Sequence, residues 1–154
     1  MVEELLNIAV DLALRDSGRP KQTSLRRSVS TAYYALFHAL AEFCADTMAT
    51  YSSSDWDAYT LVYRSLDHSG AKKTFDRNRD GQLLGDDVAE LGLIFAQLQS
   101  ARIKADYVPS PFPFGRSEVS EFIEQARRAI AIVGTLRKTR RGRLLAAHLV
   151  TKPR

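Results

Sequence analysis

Cysteine is almost absent from this sequence. The single thiol, Cys44, excludes an intramolecular disulfide and any multi-cysteine zinc or iron–sulfur site. No run approaches the ~18 apolar residues of a membrane-spanning helix. The opening residues MVEELLNIAV are acidic where a secretory leader is basic, so the expected location is the cytosol, with no membrane partner. No segment of useful length alternates apolar and polar residues, which excludes a sheet-based fold. Glycine and proline are sparse, at 8 and 5 of 154 residues, and three prolines fall at Pro109, Pro111 and Pro113. Acid is missing from one end: 137–154 carries seven Lys and Arg and no Asp or Glu, while the rest holds 15 bases against all 18 acids. The formal net charge of +4 therefore describes the tail, and the body is slightly acidic. A basic tail of this kind is either the electrostatic footprint of a polyanion or a solvated last helix with a frayed end.

What is present is helical periodicity. With 45% hydrophobic and 26% charged residues, the chain can bury one core as a single domain over 1–154, with 137–154 as a basic C-terminal segment. Leu5, Ile8, Ala9 and Leu12 predict a helix over 1–16, stopped at Gly18 and Pro20. A second runs from about Ser24 to Met48 on a stripe of Leu25, Val29, Ala32, Leu36, Leu40 and Phe43. Ala35, Ala39 and Ala41 on its other sides admit close neighbours, which makes it the central helix. Residues 52–55 offer a cap for a third, whose face is Trp56, Tyr59, Tyr63 and Leu66. A polar stretch with Gly70 follows, then a fourth helix from Asp86 to about Ala105 on Val88, Leu91, Phe95 and Leu98. The proline loop separates it from a fifth, capped by Ser117, with Val119, Phe122, Ala126, Ile130 and Val133 on its buried face. The expected fold is all-α, an antiparallel bundle of four to five helices joined by short loops.

Arg102 is the position where this pattern carries chemistry. It continues the buried stripe of the fourth helix, so a guanidinium stands where the next apolar residue belongs. A buried Arg is rare unless paired, and Asp106 lies one turn on, followed by Tyr107. Two roles are open to the pair: a ligand site or a structural ion pair. Tyr34 and His38 lie one turn apart on the second helix. His38 is the candidate to supply a proton-transfer group to Arg102 and Asp106 across a groove, and a hydrogen-bonded packing histidine is its other reading. Arg64 and His68 repeat the spacing on the third helix, as an exposed pair.

The runs LRRSVSTAYYALFHALAEF, VYRSLDH and LQSARIKADY, followed by a proline-containing loop and an alanine-rich helix, resemble the HEPN family from about Leu25 to the fifth helix. AYYALFH and the segment from Arg102 to Tyr107 are the specific parts. The resemblance implies a dimerising bundle of four to five helices. It also implies a toxin–antitoxin setting beside a minimal nucleotidyltransferase and, in active members, metal-independent endoribonuclease activity. It places Arg102 at the arginine of the ribonuclease signature, which has a histidine four to six residues later. Here Ile103 follows the arginine, Tyr107 stands at that spacing, and Val108 and Pro109 come next. The base and acid that RNA cleavage needs would have to come from His38 or from Asp106. The literal spacing occurs instead at Arg143 and His148, in the tail. On this reading Arg102 contacts phosphate, Asp106 orients it, Tyr34 and Tyr107 touch substrate, and Arg26, Arg27 and the tail hold an RNA backbone. The competing reading is a catalytically silent module that partners the nucleotidyltransferase.

One further motif stands apart. Asp76, Asn78, Asp80, Gln82 and Asp87, with Gly81 at the turn, match the spacing of a calcium loop that would take Ca or Mg. Asp87 replaces the long bidentate Glu, and no second loop is present to pair with it. The alternative is a polar turn between helices that needs no cofactor.

Overall fold

Seven helices make up the computed structural model of the chain, which describes residues 1–49 and 56–152. They are α1 (Val2–Leu14), α2 (Gln22–Met48), α3 (Trp56–Ser65), α4 (His68–Arg77), α5 (Asp86–Tyr107), α6 (Arg116–Leu136) and α7 (Arg140–Val150). The fold is all-α, with no strand among the described residues. None of the described helices is long and apolar enough to cross a membrane. The cap expected at 52–55 lies outside the described residues.

Two helices exceed the five that periodicity predicts. The first is α4, which occupies the polar stretch. There Gly70 does not break a helix but opens one: its N–H donates to Oδ1 of the N-cap Asp67 at 2.7 Å. The second is α7, which orders the basic tail by burying Leu145, Ala146 and Leu149. Arg64 and His68 consequently stand on different helices, α3 and α4, and not on one.

The helices pack as two units, residues Met1–Phe37 with Ile94–Ala129 and His38–Leu93 with Ile130–Arg154, so α2, α5 and α6 each supply a part to both. In the first unit Leu25, Val29, Ala32 and Leu36 of the expected α2 stripe are buried, and so are Phe95 and Leu98 of α5; Leu40 and Phe43 are buried in the second. The Tyr33 ring meets Phe95 at 5.7 Å between centroids. Burial and this apolar setting push the Tyr33 phenol far above its ordinary range, so it is a packing residue. The face of α1 is rotated from the expected one: Leu6, Ala9 and Ala13 are buried, whereas Ile8 is 48% exposed. Ser28 fixes that rotation by donating to the Ala9 carbonyl at 2.6 Å inside the core. Arg116 then closes the end of α1, donating to the carbonyls of Ala13 and Asp16.

In the second unit α4 packs on α7, and Thr74 donates to the His148 carbonyl at 3.1 Å. Gly92 of α5 admits Phe75, whose Cβ would lie 2.7 Å from any Cβ placed there. Cys44 is buried, and burial pushes its thiol up to about 12. Trp56, Tyr59 and Tyr63 form a ladder of stacked rings on α3, but no residue of that helix is fully buried and Trp56 is 56% exposed.

The turn between α4 and α5 is built around Asn78, which has no exposed surface. Its Oδ1 accepts from the Leu84 N–H at 2.6 Å and its Nδ2 donates to the Gly85 carbonyl. Asn78→Ala removes that side chain and leaves the buried Leu84 N–H without its acceptor. The expected loss of stability is about 2 kcal/mol, read as a lower urea midpoint at unchanged m value.

Candidate functional site

The end of α5 is where sequence and fold converge on chemistry. A helix leaves its last carbonyls without intrahelical partners, and the chain beyond α5 is proline-rich and poor in donors. Arg26 of α2 supplies them. Its Nη1 donates to the carbonyls of Lys104, Ala105 and Val108 at 2.8–3.0 Å, and its Nη2 donates to that of Ser110 at 2.6 Å. The guanidinium also lies over the Phe112 ring at 5.2 Å. Arg26 is thus a C-terminal cap for α5, with both Nη atoms donating to backbone carbonyls, and it also stands in the lining of the pocket described below.

One turn above, Arg102 is held on all sides but one. Its Nε lies 2.9 Å from Oδ2 of Asp106, and the two side chains are only 11% and 19% exposed. The Nε–H itself is buried without an aligned acceptor, so the contact is an ion pair and not a directed hydrogen bond. Nη2 donates to the Tyr34 hydroxyl at 2.7 Å and reaches the Tyr107 hydroxyl at 3.4 Å. The guanidinium carbon sits 5.3–5.7 Å from the ring centroids of Tyr33, Tyr34 and Tyr107. Burial works against the charge, but the Tyr34 hydroxyl, Tyr107 and Asp106 outweigh it, and the guanidinium is held above its ordinary value. Nη1 has no acceptor among the described residues. The orientation of the planar fork is fixed by its other contacts.

Arg102 lines an open pocket of about 550 Å³ formed by residues of α2 and α5, within the range of small-molecule sites. Arg27 stands on its rim, exposed and without a carboxylate partner among the described residues. Three cations and one carboxylate, Asp106, line it, so the pocket favours an anion. Sequence reasoning missed Ser30, which donates to Oδ2 of Asp106 at 3.2 Å, and Thr23 on the wall. Thr23, Arg27, Ser30 and Tyr34 recur at three- and four-residue spacing on one face of α2, a polar stripe that the apolar count passes over.

His38 is not part of the lining. It belongs to the second unit, where its Nδ1 lies 2.5 Å from the Tyr63 hydroxyl and its ring stacks on that residue. The imidazole expected beside Arg102 and Asp106 is thus a partner of α3. Arg143 and His148 both lie on α7, but five residues apart puts them on different faces, and the His148 carbonyl is held by Thr74.

The calcium-loop spacing resolves into ordinary turn chemistry. Asp76 ends α4 in an ion pair with Lys72 at 2.8 Å, and Asp80 accepts from the Gln82 N–H at 3.1 Å. Asn78 is the staple already described. Asp87 receives both Nη atoms of Arg141, one on each carboxylate oxygen. Among the described residues no group of three or more His, Cys, Asp or Glu is arranged to hold a metal. Arg141 holds the Asp87 carboxyl below its ordinary value, so the native state binds fewer protons there than the unfolded chain. The pair's contribution is complete above about pH 4 and is lost as pH falls through the lowered value. Wild type is therefore expected to lose more stability than Asp87→Asn between pH 5 and pH 3 by urea titration. No protein-family model, no curated protein and no solved structure matches the chain.

Proposed function

We propose that this protein is a HEPN-like helical protein that binds RNA or a nucleotide through the pocket between α2 and α5. In this reading it belongs to a prokaryotic toxin–antitoxin type system, as a dimeric antiparallel bundle with a minimal nucleotidyltransferase as its partner. One observation carries it: the guanidinium of Arg102, fixed by Asp106 and Tyr34, in the lining of a pocket that also presents Arg27. A phosphate placed there meets two cations, and Tyr107, 68% exposed as a residue, offers an aromatic ring on which a base can stack.

The same geometry favours binding over cleavage. RNA hydrolysis without metal needs a base for the 2′-hydroxyl. Asp106 is engaged by Arg102 and Ser30, and no histidine among the described residues lines the pocket. This supports the catalytically silent module over the ribonuclease. The test is a titration with AMP and with single-stranded RNA, in wild type and Arg102→Gln, alongside an RNA integrity assay in metal-free buffer. Binding of both ligands that weakens in Arg102→Gln, with intact RNA, is the expected result. Equal affinity in the two proteins overturns the site, and cleavage that stops in Arg102→Gln overturns the silent reading in favour of the nuclease.

A further inference from the structure

Five bases crowd the turn from α6 into α7 between 137 and 143, and the fold separates them into two kinds. Arg137 is neutralised by Asp46, and Arg141 by Asp87. Lys138, Arg140 and Arg143 are exposed and meet no carboxylate among the described residues. Lys138 and Arg143 line a cleft of about 300 Å³ together with Arg137, Asp46 and Thr47. The one acid in that lining is already paired, so the cleft as a whole is cationic.

The backbone adds a second observation. Lys138 has φ 62°, the only positive φ at a non-glycine residue among the described ones. Glycine would adopt this conformation without strain, so the side chain is what the position gains from holding a lysine. The turn is fixed around it: the Thr139 N–H donates to the Leu136 carbonyl at 3.1 Å, and Thr139 Oγ1 caps the Gly142 N–H at 2.9 Å. The turn thus fixes the point at which the Lys138 side chain leaves the backbone, in the lining of the cleft.

We propose that this cleft binds the phosphodiester backbone of RNA, which makes the protein's ligand a polymer and not a free mononucleotide. The inference rests on the RNA-or-nucleotide reading of the Arg102 pocket and narrows it. Lys138 at the turn and Arg143 in α7 give the cleft two cations without a carboxylate partner among the described residues, complementary in charge to phosphates, which carry charge but no sequence information. An acidic protein segment presents its charge on flexible carboxylate side chains and is the competing occupant.

The test uses the full chain with Lys138→Gly and Arg143→Gln combined. Glycine relaxes the left-handed backbone and glutamine is a good helix former, so folding is retained, with melting temperature as the check. Single-stranded RNA binding is followed across a salt series. Each phosphate contact contributes about 0.7 to the slope of log affinity against log salt, so the double variant is expected to be shallower by about 1.4. Its RNA affinity is expected to fall about tenfold near 0.1 M salt, while AMP affinity stays that of wild type. An unchanged slope and affinity overturn the proposal, and so does polyglutamate competing with RNA at equal charge. Arg102→Gln separates the two readings. If it alters neither ligand's binding while the double variant still flattens the slope, the pocket reading fails and the cleft stands.

Discussion

Gly142→Ala is expected to destabilise the protein by about 2 kcal/mol, against the ordinary rule for a helix. Alanine normally improves a helical position over glycine by up to about 1 kcal/mol. At Gly142 a Cβ would lie 2.0 Å from the Leu136 carbonyl oxygen and 3.0 Å from its carbon. Both are backbone atoms of the preceding turn, so no rotamer change relieves the clash, and the α6–α7 connection must open. Overpacking costs typically 1–3 kcal/mol and exceeds the propensity gain. In a chain of this size the loss corresponds to a fall of about 4–8 °C in Tm. Gly134→Ala is the internal control. It also lies in a helix, α6, but nothing stands within 4 Å of its added Cβ, so propensity alone acts and Tm is expected to rise. A common direction of change at the two positions would refute the steric account.

The second large effect is at Arg102. Arg102→Gln removes the charge that faces the ligand, and a hydrogen bond to a charged group contributes about 1.5–3 kcal/mol, a loss of roughly 10- to 100-fold in affinity for RNA or AMP. Arg102→Lys is the more informative variant. It keeps the charge but not the plane that lets Nε face Asp106 while Nη2 meets Tyr34. An ammonium drawn to Asp106 no longer presents a second donor to the pocket, so lysine is expected to rescue less than half of the lost binding free energy. Full rescue by lysine would mean that only net positive charge matters and that the fork geometry is incidental. The melting temperature of each variant separates binding from stability, since the unpaired Asp106 left by glutamine is still 19% exposed and bonded by Ser30.

Arg102 was the part of the site most legible in the sequence, because a cation in a buried stripe is a local anomaly and its partner lay one turn away. The stripes of α2 and α5 were legible for the same reason: strong, uninterrupted periodicity over twenty or more residues. Three things were not. The helix α4 was hidden because its HSGAKKTFDR sequence buries only Ala71, Thr74 and Phe75, too few positions to show a period. The role of Arg26 depends on carbonyls about eighty residues away, which no local pattern contains. His38 misled because a helical wheel has no axial coordinate. One turn beyond Tyr34, α2 passes from the first unit to the second, and the next imidazole serves a different neighbourhood.

The Arg26 latch also has a consequence in time. Its furthest acceptor, the Ser110 carbonyl, is 84 residues along the chain. A chain made from its N-terminus completes α2 long before that carbonyl exists, so the guanidinium stays in water and the end of α5 is uncapped until residue 110 has emerged. Closing so long a loop also requires the helices to be docked first, because its entropic cost is met only by contacts already made. The pocket thus cannot take its final shape before residue 110 has emerged, although all of its α2 wall exists about eighty residues earlier.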